Sequence, residues 1–336
     1  MTRAIRIGTR RSRLAVWQAE WVAKGLRDHH PDLTVDLVPI RTEGDRDRST
    51  ALSGMGQIGV FTKEIETALL EDRCDVAVHS LKDLPTRLAT GLSLGAVLER
   101  ADPRDAFIAR EGGTLAGLPK GSVLGTSSLR RRAQILNLRP DLVVRELRGN
   151  VPTRLRAAGV LLEEGDRPDV AVDATVLARA GLMRLGFASH ASQVFSFEEM
   201  LPAPGQGAVG VEIRADDHEV AERLIPLDHG PTRLATAAER EVLEVFGGWC
   251  HLPAGALAVV EDGDLRLRGL VGDPDGRTIV RAEASGKDPR SLGREVAERL
   301  LKKGAREILD KVLGDRHEVP PFGDRREEPP FEDRRP

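Results

Sequence analysis

Short apolar runs of strand length alternate with helical patterns along most of the chain, and no other feature of the sequence constrains the fold as strongly. AIRIG (4–8) reads as a first strand. Ser12 then caps a helix that places Leu14, Trp17, Trp21 and Val22 on one face. TVDLVPI, FTKEIETALLEDR and DVAVHS follow as strand, helix and strand. The pattern restarts near Pro103, with SVLGTSSLRRRAQIL, LVVREL, a helix from Val151, a strand DVAVDA and a helix from about Leu177 to Leu185. An α/β architecture with largely parallel sheets is expected, its second domain starting at that restart. A late strand, AVGVEI, can return to either sheet. From Pro231 the texture changes to a helix, a glycine-rich turn holding Cys250, three strands (ALAVVE, DLRLRGLVG, RTIVRAEAS) and a last helix to about Leu313, a small α+β module.

The chain has 336 residues, more than one core accommodates, so two or three domains of about 100 to 150 residues are expected. Apolar residues make up 40% and charged residues 31%, the balance of a globular body. A net charge of -3 supplies no field for a nucleic-acid partner. No apolar run approaches the roughly 18 residues of a membrane span, and the start MTRAIRIGTRRSRLAVWQAEW lacks a signal-peptide core. Cys74 and Cys250 are too few for a disulfide framework. These features predict a soluble protein of the cytoplasm with neither a membrane nor a nucleic acid as partner. Residues 42–60, TEGDRDRSTALSGMGQIGV, exceed the roughly 12 to 15 residues usual for an unstructured connection and read as a lid. The segment EVPPFGDRREEPPFEDRRP repeats PPF-x-DRR, cannot bury enough apolar surface to offset ordering entropy, and is expected to be disordered.

Arginines recur where strands end and helices begin: Arg10 and Arg11 after the first strand, Arg130 to Arg132 after GTSS, and Arg148 and Arg154 around RGNVPTR. In open parallel sheets those ends form the ligand crevice, where helix N-termini attract anions and guanidinium forks grip them in pairs. Three such turns at equivalent positions point to a polyanion. Phosphate fits this physics as well as carboxylate. Asp83 closes HSLKD at another strand end, where a carboxylate either moves protons and stabilises a developing cation or simply starts the turn before Pro85. Cys250, in GGWCHLPAG, is either a nucleophile or attachment point or an ordinary turn thiol. Cys74 reads as core. His79 and His251 have no partners at metal-ligand spacing, so no metal is expected.

Read together, GTRRSRLAVWQA, FTKEIETALL, DVAVHSLKDLP, DPRDAF, GTSSLRRRAQ, LRGNVPTR, ARAGLMRLG, LPAPGQGAVGVE and CHLPAGALA resemble the hydroxymethylbilane synthase (porphobilinogen deaminase) family, in its order and spacing from about residue 4 to 313. The resemblance implies two doubly wound domains similar to periplasmic binding proteins plus a small α+β C-terminal domain. Domain 1 would comprise 1–100 with 208–226, domain 2 residues 101–207, the C-terminal domain 227–314, and the tail 315–336. It implies a transferase that joins four porphobilinogen units head to tail with loss of ammonia, as a cytoplasmic monomer. The chain is built on a dipyrromethane cofactor held by a thioether, here at Cys250, and water releases the linear tetrapyrrole. By resemblance Asp83 is the catalytic residue, holding pyrrole N–H groups, stabilising the cationic azafulvene and moving protons. Ser80, Lys82, Asp83, Thr126, Ser128, Arg130, Arg131 and Arg148 would bind the cofactor. Arg10, Ser12, Lys63, Arg148, Arg154 and Arg184 would bind substrate.

The sequence departs from the family pattern at Trp249, where a glycine commonly precedes the cofactor cysteine, at Ile58, where many members have a lid lysine, and at Pro152, at a helix start where proline is tolerated. Two other classes share parts of the pattern: a solute-binding or sensor protein, which does not need Asp83 and Cys250 together, and a degenerate paralogue that binds pyrroles without turnover.

Overall fold

A computed structural model describes residues 4–41, 62–162, 170–248 and 251–314. The expected lid with Ile58, the expected disordered tail, Trp249 and Cys250 lie outside the described residues. Strand β1 (Ile5–Thr9) pairs in parallel with β2 (Val35–Pro39) and β3 (Val76–Ser80). Beyond β3 lies β10 (Val209–Arg214), antiparallel to β3 and to the edge strand β4 (Leu92–Val97). The second sheet repeats the plan: β6 (Val123–Gly125) is parallel to β7 (Val143–Arg145) and β8 (Ala174–Ala178), while β5 (Asp105–Ala109) runs antiparallel between β8 and the short β9 (Gln193–Val194). The two orders, β2-β1-β3-β10-β4 and β7-β6-β8-β5-β9, are therefore equivalent position by position.

The late strand that can return to either sheet joins the first, as β10. The chain thus crosses between the sheets twice, after β4 and before β10. The crossing segments lie side by side, with Leu98 N–H donating to Val209 O at 3.0 Å and Ala101 N–H to Gly207 O at 3.2 Å. Backbone groups that would otherwise need water are satisfied within this pair.

Local chemistry sets the helix starts. Ser12 caps α1 (Arg13–His29) by accepting from Ala15 N–H, Ser128 caps α3 (Leu129–Leu138), and Asn150 caps α4 (Val151–Ala157), whose Pro152 occupies the first turn. Helix α2 (Lys63–Leu70) covers the first sheet, α5 (Arg179–Arg184) follows β8, and α6 (His218–Leu224) follows β10. The buried face of α1 is Gln18, Ala19, Val22, Ala23 and Leu26 rather than the expected stripe, of which only Val22 is fully covered. Trp17 and Trp21 stack on each other beside it, their ring centroids 5.6 Å apart, and Trp21 remains half exposed. Two further expectations need correction. The helix expected from Leu177 begins at Arg179, because ATVLA is buried almost throughout and fills the slot between β6 and β5 as β8. The expected last helix is two, α8 (Pro289–Leu300) and α9 (Arg306–Leu313), separated at Gly304, whose φ of 101° no helix accommodates.

The C-terminal module is an antiparallel meander, β11 (Ala254–Glu261), β12 (Asp264–Gly272) and β13 (Ile279–Gly286). Its first hairpin turns on Asp262-Gly263, both at positive φ, the pair that two-residue turns favour. Helix α7 (Gly230–Val245), α8 and α9 bury Val242, Phe246, Val296, Leu300 and Leu309 against this sheet.

One side chain of α7 ties the three sheets together. Glu239 is fully buried and accepts from the Arg100 guanidinium on the outward crossing, from Gly205 N–H (2.7 Å) on the return, and from Ala258 N–H (2.9 Å) in β11. A buried carboxylate with all its partners is tolerable, but one that loses its charge strands the facing cation. Glu239→Gln should therefore cost about 3 to 5 kcal/mol in equilibrium denaturant unfolding. A loss below about 1 kcal/mol would show that the junction does not depend on this ion pair.

Candidate active site

The expected site residues sit where the parallel strands of both sheets end. Arg10 and Ser12 follow β1, Ser80, Lys82 and Asp83 follow β3, Thr126 and Ser128 follow β6, Arg148 follows β7, and Arg184 ends the helix after β8. Such carboxyl ends leave backbone N–H groups and helix N-termini facing one crevice. Ser80 exchanges hydrogen bonds with Gln18 at 2.9 and 3.2 Å, which explains why a glutamine is buried on α1. The Thr126 hydroxyl accepts from Ser128 N–H at 3.2 Å, and Ser128 caps the helix that carries Arg130 and Arg131.

Arg130 and Arg131 are both buried and share one carboxylate, that of Asp105 in β5, which is itself fully buried. Arg130 donates to Asp105 Oδ2 at 2.7 Å and to Leu201 O at 2.7 Å; Arg131 donates to Asp105 Oδ1 at 2.8 Å and to Val176 O at 2.9 Å. Burial alone would raise the Asp105 pKa, but the charges of Arg130, Arg131 and Lys82 overcome it and hold the carboxyl well below the usual range.

Lys82 lies within the field of the same groups. Burial in the cleft, reinforced by Arg131 and Arg130, pushes its ammonium down to about 8 against the pull of Asp83 and Asp105. Arg154 is pushed down to about 10 by burial and by the charges of Arg131 and Arg148, with Asp83 opposing. Asp83 is exposed at the cleft, within reach of the charges on Lys82 from its own turn and Arg154 from the second sheet. Both half-buried cations remain open to water while surrounded by protein, the environment of a cleft wall. The cluster holds more positive than negative charge, an arrangement suited to an anionic ligand.

Other expected residues sit elsewhere. Arg148 pairs with Glu146 at 2.8 Å. Arg184 donates to Gly207 O at 2.7 Å on the return crossing and lies 5.5 Å over the Trp17 ring, so it joins α5 to α1. Lys63 is exposed at the start of α2, apart from the cluster around Asp83 in the contacts of the described residues. Cys250 lies outside the described residues, but the turn that leads to it does not. Gly247 and Gly248 both have positive φ, and a β-carbon on Gly248 would stand 2.6 Å from Thr86 Oγ1. The approach to Cys250 is thus pressed against the loop that carries Asp83.

That loop is held from α7. The Arg240 guanidinium donates to Leu84 O at 2.9 Å and Pro85 O at 2.6 Å, with longer contacts to Leu81 O and Thr86 O. Glu244 accepts from Thr86 Oγ1 at 2.6 Å and pairs with Arg87. Gln18, Asp105, Gln206, Arg240 and Glu244 were not singled out in the sequence. Asp105 and Gln206 stand inside the strings DPRDAF and LPAPGQGAVGVE, but nothing local marks their partners.

Because its folded pKa is depressed, Asp105 contributes stability that is present above the ordinary carboxylate pKa of about 4 and lost as pH falls below it. Asp105→Asn should be less stable than the wild type at pH 7, and the gap should narrow on acidification from about pH 5 toward 2. Parallel stability curves for the two proteins over that window would contradict the assigned ion triad.

Comparison with known proteins agrees with this chemistry. Residues 5–222 match the porphobilinogen deaminase, dipyromethane cofactor binding domain, and residues 233–302 match the porphobilinogen deaminase C-terminal domain. Among solved structures, the periplasmic aliphatic sulphonate binding protein SsuA from Escherichia coli is 13% identical, with 94% of this chain and 75% of that one covered at a TM-score of 0.36. A Salmonella typhimurium periplasmic binding protein with high arginine specificity is 12% identical, covering 66% and 90% at a TM-score of 0.34. Likenesses at such scores carry no argument about fold or function. No helix among the described residues is long and apolar enough to cross a membrane. The family matches take in both sheets of the cleft and the C-terminal module, and the chain belongs to the porphobilinogen deaminase family.

Proposed function

We propose that this chain is a hydroxymethylbilane synthase, a cytoplasmic monomer that condenses four porphobilinogen molecules on a dipyrromethane cofactor attached through a thioether to Cys250. The observation that carries this reading is the cation-rich cleft beside one exposed carboxylate: Lys82 from the first sheet and Arg154 from the second lie within the field of Asp83, while Arg130 and Arg131 share the buried Asp105 next to Lys82. Each pyrrole carries an acetate and a propionate, so a lengthening chain brings negative charge into the cleft two carboxylates at a time. The division proposed for the chain, 1–100 with 208–226, 101–207 and 227–314, assigns Asp83, the arginine helix and Cys250 to three different bodies.

The donor set fits the cofactor. Guanidinium forks and the hydroxyls of Ser80, Thr126 and Ser128 bind carboxylates, and the turn at Gly247-Gly248 brings the chain toward Cys250 beside the Asp83 loop. When bound, the dipyrromethane supplies the nucleophilic pyrrole carbon on which the product is lengthened. Each condensation would join that nucleophilic ring carbon to the aminomethyl carbon of the incoming porphobilinogen, with ammonia leaving and the attacking ring carbon giving up its proton. Water replaces the ring carbon as nucleophile in the final release. Asp83 is placed to stabilise the positive charge that develops on the substrate as its amine departs, to orient pyrrole N–H groups, and to carry the proton. Arg10, Ser12, Lys63, Arg148, Arg154 and Arg184 are the groups we assign to the substrate side.

Denaturing mass spectrometry tests the attachment. Protein from porphobilinogen-producing cells should carry a dipyrromethane adduct that is absent from Cys250→Ser. An unmodified wild-type mass would overturn this reading.

A further inference from the structure

Gln206 sits on the return crossing between two glycines and is fully buried. The flanking backbone is left-handed, with φ of 72° at Gly205 and 90° at Gly207, and a β-carbon on Gly207 would stand 2.4 Å from Ala101 O. The glycines therefore let the return strand press onto both the outward crossing and the Asp83 turn. The Gln206 backbone is held at each end: its N–H donates to Ala203 O at 2.9 Å, and its carbonyl accepts from Arg100 Nε at 2.8 Å.

The side chain uses both halves of its carboxamide. Nε2 donates to Pro103 O at 2.7 Å and to Asp105 Oδ1 at 3.0 Å, and Oε1 accepts from Lys82 Nζ at 3.4 Å. The orientation is chemically determined. Pro103 O and the Asp105 carboxylate only accept, and the Lys82 ammonium only donates, so a flipped amide would turn all three contacts repulsive. No other side-chain type of this length offers two donors on one side and an acceptor on the other.

We propose that Gln206 is a positioning residue of the condensation site: its carboxamide joins Lys82 of the first sheet to the Asp105–Arg130–Arg131 triad of the second, and so sets the registry and charge state of the groups that face Asp83. The proposal rests on the reading of this cleft as the pyrrole-condensing site. Four charged groups face Lys82: Asp83 from its own turn, Asp105 from β5, and Arg130 and Arg131 from α3. Gln206 is the neutral link among them. Replacing it by glutamate places a carboxylate beside the ammonium. Replacing it by methionine, of similar length, removes the acceptor from Lys82 and the donor from Asp105.

The test uses the full-length, cofactor-bearing protein labelled with 13C at the lysine ε-carbons, with Lys82→Gln assigning the resonance. The wild-type Lys82 midpoint should fall near 8. It should rise by about one unit or more in Gln206→Glu and fall in Gln206→Met. The alkaline limb of kcat/KM for porphobilinogen should move in the same two directions, which a merely structural role would not produce. Should Gln206→Met fail to fold, Gln206→Asn withdraws the carboxamide by one methylene and should also lower the midpoint. Equal midpoints in all variants, or shifted midpoints with superimposable kcat/KM profiles, would overturn the proposal. A wild type that never converts porphobilinogen but whose Lys82 midpoint shifts as described would sink the functional reading and leave the Lys82–Gln206 contact standing.

Discussion

A single buried carboxylate, Asp105, organises the cation-rich cleft. Its two oxygens pair with Arg130 and Arg131, which could not otherwise be buried at the start of one helix, and its charge also reaches Lys82 across the junction. Asp105 opens β5 on the outward crossing, and Gln206 reaches it from the return crossing. The place where the chain passes between sheets is therefore also where the buried charges of the cleft meet, so registry between the sheets and electrostatics of the cleft depend on the same bonds.

Helix α7 plays the corresponding part for the third module. Glu239 holds both crossings and β11, Arg240 takes up the carbonyls of the loop after Asp83, and Glu244 holds Thr86 and Arg87 a turn later. Arg240 and Glu244 lie one turn apart on one helical face, and Glu239 immediately precedes Arg240. The helix then ends at the two left-handed glycines before Cys250. The Asp83 loop and the turn before Cys250 are both referred to one helix. Burial lowers Arg240 to about 10, still protonated at neutral pH, so this grip persists through the physiological range. The Arg184–Trp17 stack adds a further link, between α5 and α1.

The strands and helices were legible because their signals are local. Alternating apolar runs, Ser12, Ser128 and Asn150 at helix starts, and Asp262-Gly263 at a hairpin announce themselves within a few residues. The strand-end positions of the candidate site's charged residues were legible, since arginines at strand ends are a topological pattern. What stayed hidden depends on distant partners. Gln18 is buried because Ser80 stands 62 positions away, and Gln206 because Asp105 stands 101 positions away. Neither partner changes the local periodicity. The strand Ala174–Ala178 was misread because a short, mostly apolar run reads equally as buried strand or helix until its neighbours are known. Trp17 and Trp21 looked like core by spacing, yet they form the outer edge that meets Arg184.

The account's central claim is that Asp83 works as a charge, set among cations from both sheets. Asp83→Asn keeps the shape and hydrogen bonding of the side chain and removes only that charge. The decisive measurement is steady-state conversion of porphobilinogen by this variant, in protein shown by mass to carry the dipyrrole. Loss of one electrostatic stabiliser predicts a fall of about 10²- to 10³-fold in turnover with an unchanged thermal midpoint. Turnover within about threefold of the wild type, in a folded and cofactor-bearing variant, would contradict the account.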